Sequence, residues 1–177
     1  MQTILDLAIP DVKPALELYR GTLRQKVSPR YTHARLQGTL YTILSAWGND
    51  RGRIGTEWRF YFIERDDAPS SSLVPDVAYV SFQRLPNDKP EAAEQPTIAP
   101  DIAVEIISPD DRARDVAEKV DLYLAYGTSY VVVVDPQTVS VSIYEPHRER
   151  RYAAEHGAIT VVDDLRIDLD ALFGPRG

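Results

Sequence analysis

The run Tyr130-Val131-Val132-Val133-Val134 constrains this fold more than any other segment. It is continuously β-branched after its first residue, with no alternation to mark a wet side. It therefore predicts a strand buried on both faces. A strand of that kind needs cover above and below, so the remaining elements have to supply layers on both sides of a sheet.

The flanking segments supply them. Residues 11–23 read as a short helix with Pro14 in its first turn. Ser28-Pro29 starts a second helix, an N-cap followed by proline at the first helical position. Leu36, Leu40, Ile43, Leu44 and Trp47 then recur at helical spacing, and Gly48-Asn49 ends the run. Residues 53–63 switch to period two, with Ile54, Thr56, Trp58, Phe60 and Phe62 on one side. A polar loop at 65–72 leads to a strand at 73–80, and the proline-rich stretch 85–100 reads as surface loop.

A strand at 101–107 follows, then a helix capped by Ser108-Pro109-Asp110-Asp111 with Val116, Val120, Tyr123 and Leu124 inward and Gly127 at its end. Past the valine run, Asp135-Pro136-Gln137-Thr138 turns into a hairpin strand at 139–144. Short strands near Arg151 and Ile159 and a tail ending in Leu172-Phe173 complete the chain. The expected fold class is α/β, a mixed β-sheet flanked by helices, in a single domain over residues 1–177.

The sequence has no cysteine, which excludes disulfide scaffolds, zinc ribbons, Cys nucleophiles and iron–sulfur clusters. His33, His147 and His156 are too scattered for a histidine zinc site. No apolar run approaches a membrane span, and residues 1–10 lack the pattern of a signal peptide, so the expectation is a soluble, cytoplasmic protein without a membrane partner.

The net charge of -7 conceals an asymmetry. No acid occurs between Leu18 and Asn49, whereas Arg20, Arg24, Lys26, Arg30 and Arg35 cluster there. Such a cluster could meet phosphates. It could equally be a solvated face balanced by acids elsewhere in space.

Three carboxylates stand out. Asp76 follows Pro75 at the entry of an apolar strand, and Asp101 follows Pro100 in the same way; turn chemistry accounts for Asp101. Glu105 is different, because it sits mid-strand between Val104 and Ile106, where glutamate is depleted. Period two puts Asp101, Ala103, Glu105 and Ile107 on one face. A carboxylate inside a sheet has to be paired or bind a metal. Adjacent strands can bring Asp76 and Glu105 together, and such hard oxygen donors suit Mg²⁺ or Mn²⁺. Lys119 lies on the next helix and could neutralise developing charge nearby. On spacing alone, though, it reads as the i,i+4 surface partner of Asp115.

Val74-Pro75-Asp76-Val77, the stretch from Ala99 to Pro109 with its Glu-Ile-Ile-Ser-Pro, the Asp115 to Lys119 segment with Tyr123, and Val134-Asp135-Pro136 together resemble a known family. It is the Uma-type family of bacterial putative restriction endonucleases, a branch of the PD-(D/E)xK nuclease superfamily. The resemblance extends to the helix start at Ser28-Pro29 and to the closing Leu165 to Phe173. It implies a restriction-endonuclease-like core with Asp76 and Glu105 as catalytic metal ligands and the backbone carbonyl of Ile106 as a third. Ile107 stands where the superfamily motif has lysine, and the resemblance makes Lys119 the displaced catalytic lysine. Glu57, Glu17 and His33 are accessory candidates whose ordinary reading is surface or capping.

Three functions compete. The first is a Mg²⁺-dependent hydrolase, an endonuclease acting on DNA. The second is an inactive nucleic-acid or protein binding module on a nuclease fold, favoured by Ile107 and by the net charge. The third is an oligomeric role, with Val139, Val141 and Ile143 as a dimer face. A homodimer is the expected assembly in any case.

Overall fold

The computed structural model describes residues 9–63 and 70–174. Most of the expected loop at 65–72 and most of the segment 1–10 lie outside the described residues. The first half runs β1 (Leu16–Tyr19), β2 (Thr22–Gln25), α1 (Tyr31–Gly48), β3 (Gly52–Thr56), β4 (Phe60–Phe62), β5 (Ser71–Leu73) and β6 (Val77–Ser81). There follow the one-turn α2 (Glu91–Glu94), β7 (Ile102–Ile106), α3 (Ala113–Ala125), β8 (Tyr130–Asp135), β9 (Ser140–Glu145) and β10 (Arg148–Ala153). The chain closes with β11 (Ala158–Thr160), β12 (Arg166–Asp168) and α4 (Leu169–Phe173).

A six-stranded sheet in the order β10-β9-β8-β7-β6-β3 forms the centre. Only β7 and β8 pair in parallel, with α3 as the crossover between them, and the other neighbours are antiparallel. Val132 and Val134 pack with Leu36, Leu40 and Leu44 of α1 on one face. Val131 and Val133 pack with Val120, Leu122 and Tyr123 of α3 and with Phe60 and Phe62 on the other. The valine run is buried on both faces, as its composition requires. Strand β7 divides likewise, with Ile102, Val104 and Ile106 towards α1 and Ala103 on the α3 side.

The first segment departs from expectation. Residues 11–23 do not form a helix. They hold β1 and the turn into β2, an antiparallel hairpin with Tyr19 opposite Thr22. Arg20 and Gly21 both have positive φ (44° and 84°), as a two-residue hairpin turn with the twist of its strands demands. The hairpin belongs to a second sheet, ordered β2-β1-β5-β4.

Two segments read as single strands each split between the two sheets. Glu57, at φ 50°, turns the chain out of β3 and towards β4. Pro75 and Asp76 separate β5 from β6. Helix α1 starts at Tyr31, two residues past the expected proline, and Arg30 makes no side-chain cap.

The dimer-face expectation also fails for two of its residues. Val141 and Ile143 are wholly buried beneath the sheet, in the α1-side core. Asp101 is structural, as expected. Its carboxylate accepts from the Ser81 N–H at 2.7 Å and from Arg84 at 3.2 Å.

Candidate active site

The site forms where β6 and β7 meet the β1–β2 hairpin and the inner side of α3. Asp76 reaches it at a bend in the chain between β5 and β6. The Asp76 N–H donates to the Val104 carbonyl at 3.0 Å, which ties the bend to β7. Asp76 is buried at 1% exposure, yet both its oxygens are occupied. Oδ1 accepts from Lys26 Nζ at 2.8 Å. Oδ2 accepts from the Ile106 N–H at 2.7 Å and lies 3.2 Å from His33 Nε2. Burial alone would raise the Asp76 pKa, but Lys26 and His33 hold it well below the usual carboxylate range.

Glu105 projects from β7 on the α3 side. Its Oε2 lies 2.8 Å from Lys119 Nζ, and its Oε1 accepts from the Tyr123 hydroxyl at 2.8 Å. Burial, reinforced by the charge of Asp76, pushes Glu105 up to about 7 against the pull of Lys119. Lys119 Nζ also sits 3.1 Å from Glu17 Oε2. Glu17 in turn accepts from the Tyr19 hydroxyl at 2.8 Å and from the Val74 N–H at 2.7 Å. Burial opposes the charge on Lys119, but its two acids raise its pKa well above the lysine norm.

The structure therefore brings Asp76, Glu105 and Lys119 into one constellation, together with the backbone of Ile106. The Ile106 N–H points at Asp76, whereas the N–H of Ile107 turns away to the Val134 carbonyl. Because N–H and C=O of one strand residue point the same way, the Ile106 carbonyl faces the Asp76 side. Lys119 does not pair with Asp115. That carboxylate and Glu118 hold Arg24 at 3.4 and 2.8 Å, and the Arg24 guanidinium lies 4.5 Å from the Tyr19 ring centroid.

Reading the sequence missed three contributors or undervalued them. Glu17 is a buried strand residue, not an exposed helical one. His33 touches Asp76, and its Nδ1 is buried with no partner among the described residues. Lys26 had been only one of five basic residues. Four of the five are engaged within the protein: Arg24 and Lys26 pair as above, Arg30 pairs with Asp110 at 3.0 Å, and Arg35 donates to the Leu172 and Phe173 carbonyls.

Two recesses meet at the site. One of about 180 Å³ is walled by Glu17, Lys26, Asp76, Glu105 and Lys119, with Arg24 and Arg112 nearer its rim. The other, about 670 Å³, has Val12, Pro14, Pro29 and Val74 among its walls. Lys26, Val27, His33 and Asp76 line both.

In kind, the donors suit a divalent cation: two buried carboxylates and a backbone carbonyl are hard oxygens, and Mg²⁺ keeps several of its own waters. No group of three or more His, Asp or Glu stands in ligand geometry among the described residues. All four carboxylate oxygens are presently held by Lys26, His33, Ile106, Lys119 and Tyr123.

The protonation equilibria set a pH response of the metal-free protein. A carboxyl whose pKa rises on folding contributes stability that is complete below its unfolded value and lost as pH climbs through the folded one. For Glu105 that interval runs from 4.5 to about 7. His33 shifts in the same sense: burial lowers its pKa, but the hydrogen bond and charge of Asp76 win and raise it above 6.5. Asp76 has the opposite sign, and its contribution is lost only in strong acid. Urea unfolding in EDTA is expected to show stability falling as pH climbs from 4.5 to about 7, with Glu105 alone worth about 3 kcal/mol over that interval. Glu105→Gln should flatten that slope; an unchanged slope would place the titration elsewhere.

The layered sheet and the carboxylate pair astride two of its strands define a protein of the restriction-endonuclease-like fold. A nuclease described as putative, of the DUF820 group from Anabaena variabilis ATCC 29413, superposes with a TM-score of 0.83, covering 94% of both chains at 26% identity. The chain belongs to the Uma2 family, described as "Putative restriction endonuclease", whose model matches residues 2–171. A comparison with curated proteins gave no match. No helix among the described residues is long and apolar enough to cross a membrane.

Proposed function

We propose that this protein is a metal-dependent endonuclease that hydrolyses phosphodiester bonds in DNA. The observation that carries the reading is the buried Asp76–Glu105 pair with Lys119 at 2.8 Å from one of its oxygens. Asp76, Glu105 and the Ile106 carbonyl would hold Mg²⁺ or Mn²⁺. The ion would supply an activated water and charge neutralisation at the phosphate. Lys119 stands beside Glu105 to stabilise charge developing on the phosphoryl oxygens. Tyr123 fixes the Glu105 rotamer from the far side, and Glu17 keeps the Lys119 ammonium in place. Arg112, an exposed residue lining the smaller recess, is available to a flanking phosphate of an entering strand. A homodimer would let two such sites address the two strands of a duplex.

A second reading, a binding module without catalysis, draws on the saturated carboxylates and on Ile107 at the usual lysine position. Calorimetry with Mn²⁺ and Mg²⁺ separates the two, with plasmid and oligonucleotide cleavage as the second measurement. Asp76→Asn and Glu105→Gln are each expected to weaken metal binding about tenfold and to lower cleavage about 100-fold. Normal cleavage by either variant would overturn the assignment.

A further inference from the structure

Lys26 occupies the position in the site that calls for explanation. Its Nζ makes contacts to Asp76 Oδ1 at 2.8 Å, to the Val74 carbonyl at 2.9 Å, and to Glu57 Oε1 and Oε2 at 3.1 and 3.3 Å. Its side chain is only 11% exposed. A solvated lysine gives up favourable hydration to sit there, and it does so against the carboxylate best placed to receive a metal.

The two lysines of the site differ in a way that bears on this. Lys119 is clasped by two buried acids, Glu17 and Glu105, so it keeps an anionic partner if Glu105 turns to another ligand. Lys26 shares itself between the buried Asp76 and the half-exposed Glu57. Its alternative partner therefore lies on the solvent side, at the mouth of the larger recess. Gln37 steadies that partner, donating to Glu57 Oε1 at 3.2 Å and to the Asp76 carbonyl at 2.9 Å.

We propose that Lys26 is the resident cation of the metal site: its ammonium holds Asp76 in the metal-free protein and withdraws to Glu57 when a divalent cation binds. The inference rests on the metal-dependent reading above and deepens it, since it assigns the control of occupancy to one side chain. An ammonium and a divalent cation on the same carboxylate oxygen repel each other. Metal affinity is then the intrinsic affinity reduced by the fraction of molecules with Lys26 withdrawn. Glu57 sets that fraction by offering the ammonium a second berth without loss of charge pairing.

The test is Mn²⁺ calorimetry on the full chain, wild type beside Lys26→Met, Glu57→Gln and Asp76→Asn, with thermal melts of each in EDTA and in Mn²⁺. Lys26→Met is expected to bind Mn²⁺ about tenfold tighter and Glu57→Gln about threefold more weakly. In EDTA, Lys26→Met should melt below the wild type, because Asp76 has lost its main counter-charge, and Mn²⁺ should restore it. Should Lys26→Met not fold without metal, Glu57→Gln decides, since Glu57 is half-exposed and its amide keeps the shape. Unchanged affinity in Glu57→Gln, or equal or weaker binding in Lys26→Met, would overturn the proposal. If wild-type binding vanishes in Asp76→Asn but Lys26→Met is no tighter, the role of Lys26 fails while the metal site stands. If neither wild type nor Lys26→Met binds Mn²⁺, the metal-dependent reading falls with it.

Discussion

Lys119→Met is expected to cost about 3–5 kcal/mol of folding stability near neutral pH, the usual result of removing one partner from a buried charge network. The ammonium is the only counter-charge within salt-bridge distance of either Glu17 or Glu105 among the described residues. Those residues are only 3% and 8% exposed, so solvent screens the orphaned charges poorly. Tyr19 and Tyr123 would still donate to them, but neutral hydroxyls carry no compensating charge. Urea denaturation measures the loss. It should shrink towards acid pH, where Glu105 takes up a proton, and Lys119→Met combined with Glu17→Gln should recover part of it. A loss below about 1 kcal/mol would mean that the ion pair breaks even against its own desolvation.

Gly52→Ala is the second severe change, at about 3 kcal/mol, the upper end of what overpacking a well-filled region costs. A Cβ on Gly52 would meet the Val80 carbonyl and the ring of Tyr79. Neither yields easily. Val80 pairs with Arg53 in the β3–β6 ladder, and the Tyr79 ring packs edge-on against Trp47 at 4.9 Å. The same substitution at Gly38, in α1, meets nothing within 4 Å. There alanine is expected to be neutral or to stabilise by up to about 1 kcal/mol through helix propensity. Equal effects at the two sites would show that backbone conformation, not crowding, governs Gly52.

Much of this was legible in the residues and some was not, for identifiable reasons. Glu105 announced itself by interrupting an apolar strand, and Asp76 by standing after a proline at the mouth of another. The valine run fixed the centre of the sheet. Lys119 was misjudged on spacing alone, although the signal was there: Val116, Val120 and Tyr123 mark the inner stripe of α3, and residue 119 falls within it. The i,i+4 relation to Asp115 competed with that stripe and is always available to a helical lysine.

The β1–β2 hairpin was harder to read. Leu16 and Leu23 share a helix face whereas Leu16 and Leu18 share a strand face, so the pattern is mixed, and Arg-Gly is a weaker hairpin signal than Asn-Gly. Its placement depends on pairing between Leu18 and Ser72, 54 positions apart, which no local window contains. That long-range pairing helps to bring Glu17, and with it the hairpin that leads to Lys26, to the site.

The ends of the central sheet carry a colloidal consequence. Strand β10 closes one edge with Arg148, Glu149, Arg150 and Arg151 in succession, and Arg150 is already committed to Glu145 and to the Thr160 and Val161 carbonyls. An incoming strand would have to strip water from each charge before gaining a single ladder hydrogen bond. At the opposite edge β3 ends after five residues, where Glu57 turns the chain away. Neither rim offers the long, flat, apolar template on which sheets grow from molecule to molecule. Growth of the six-stranded sheet from molecule to molecule is thereby disfavoured at both of its edges, so two copies are not expected to pair by extending that sheet.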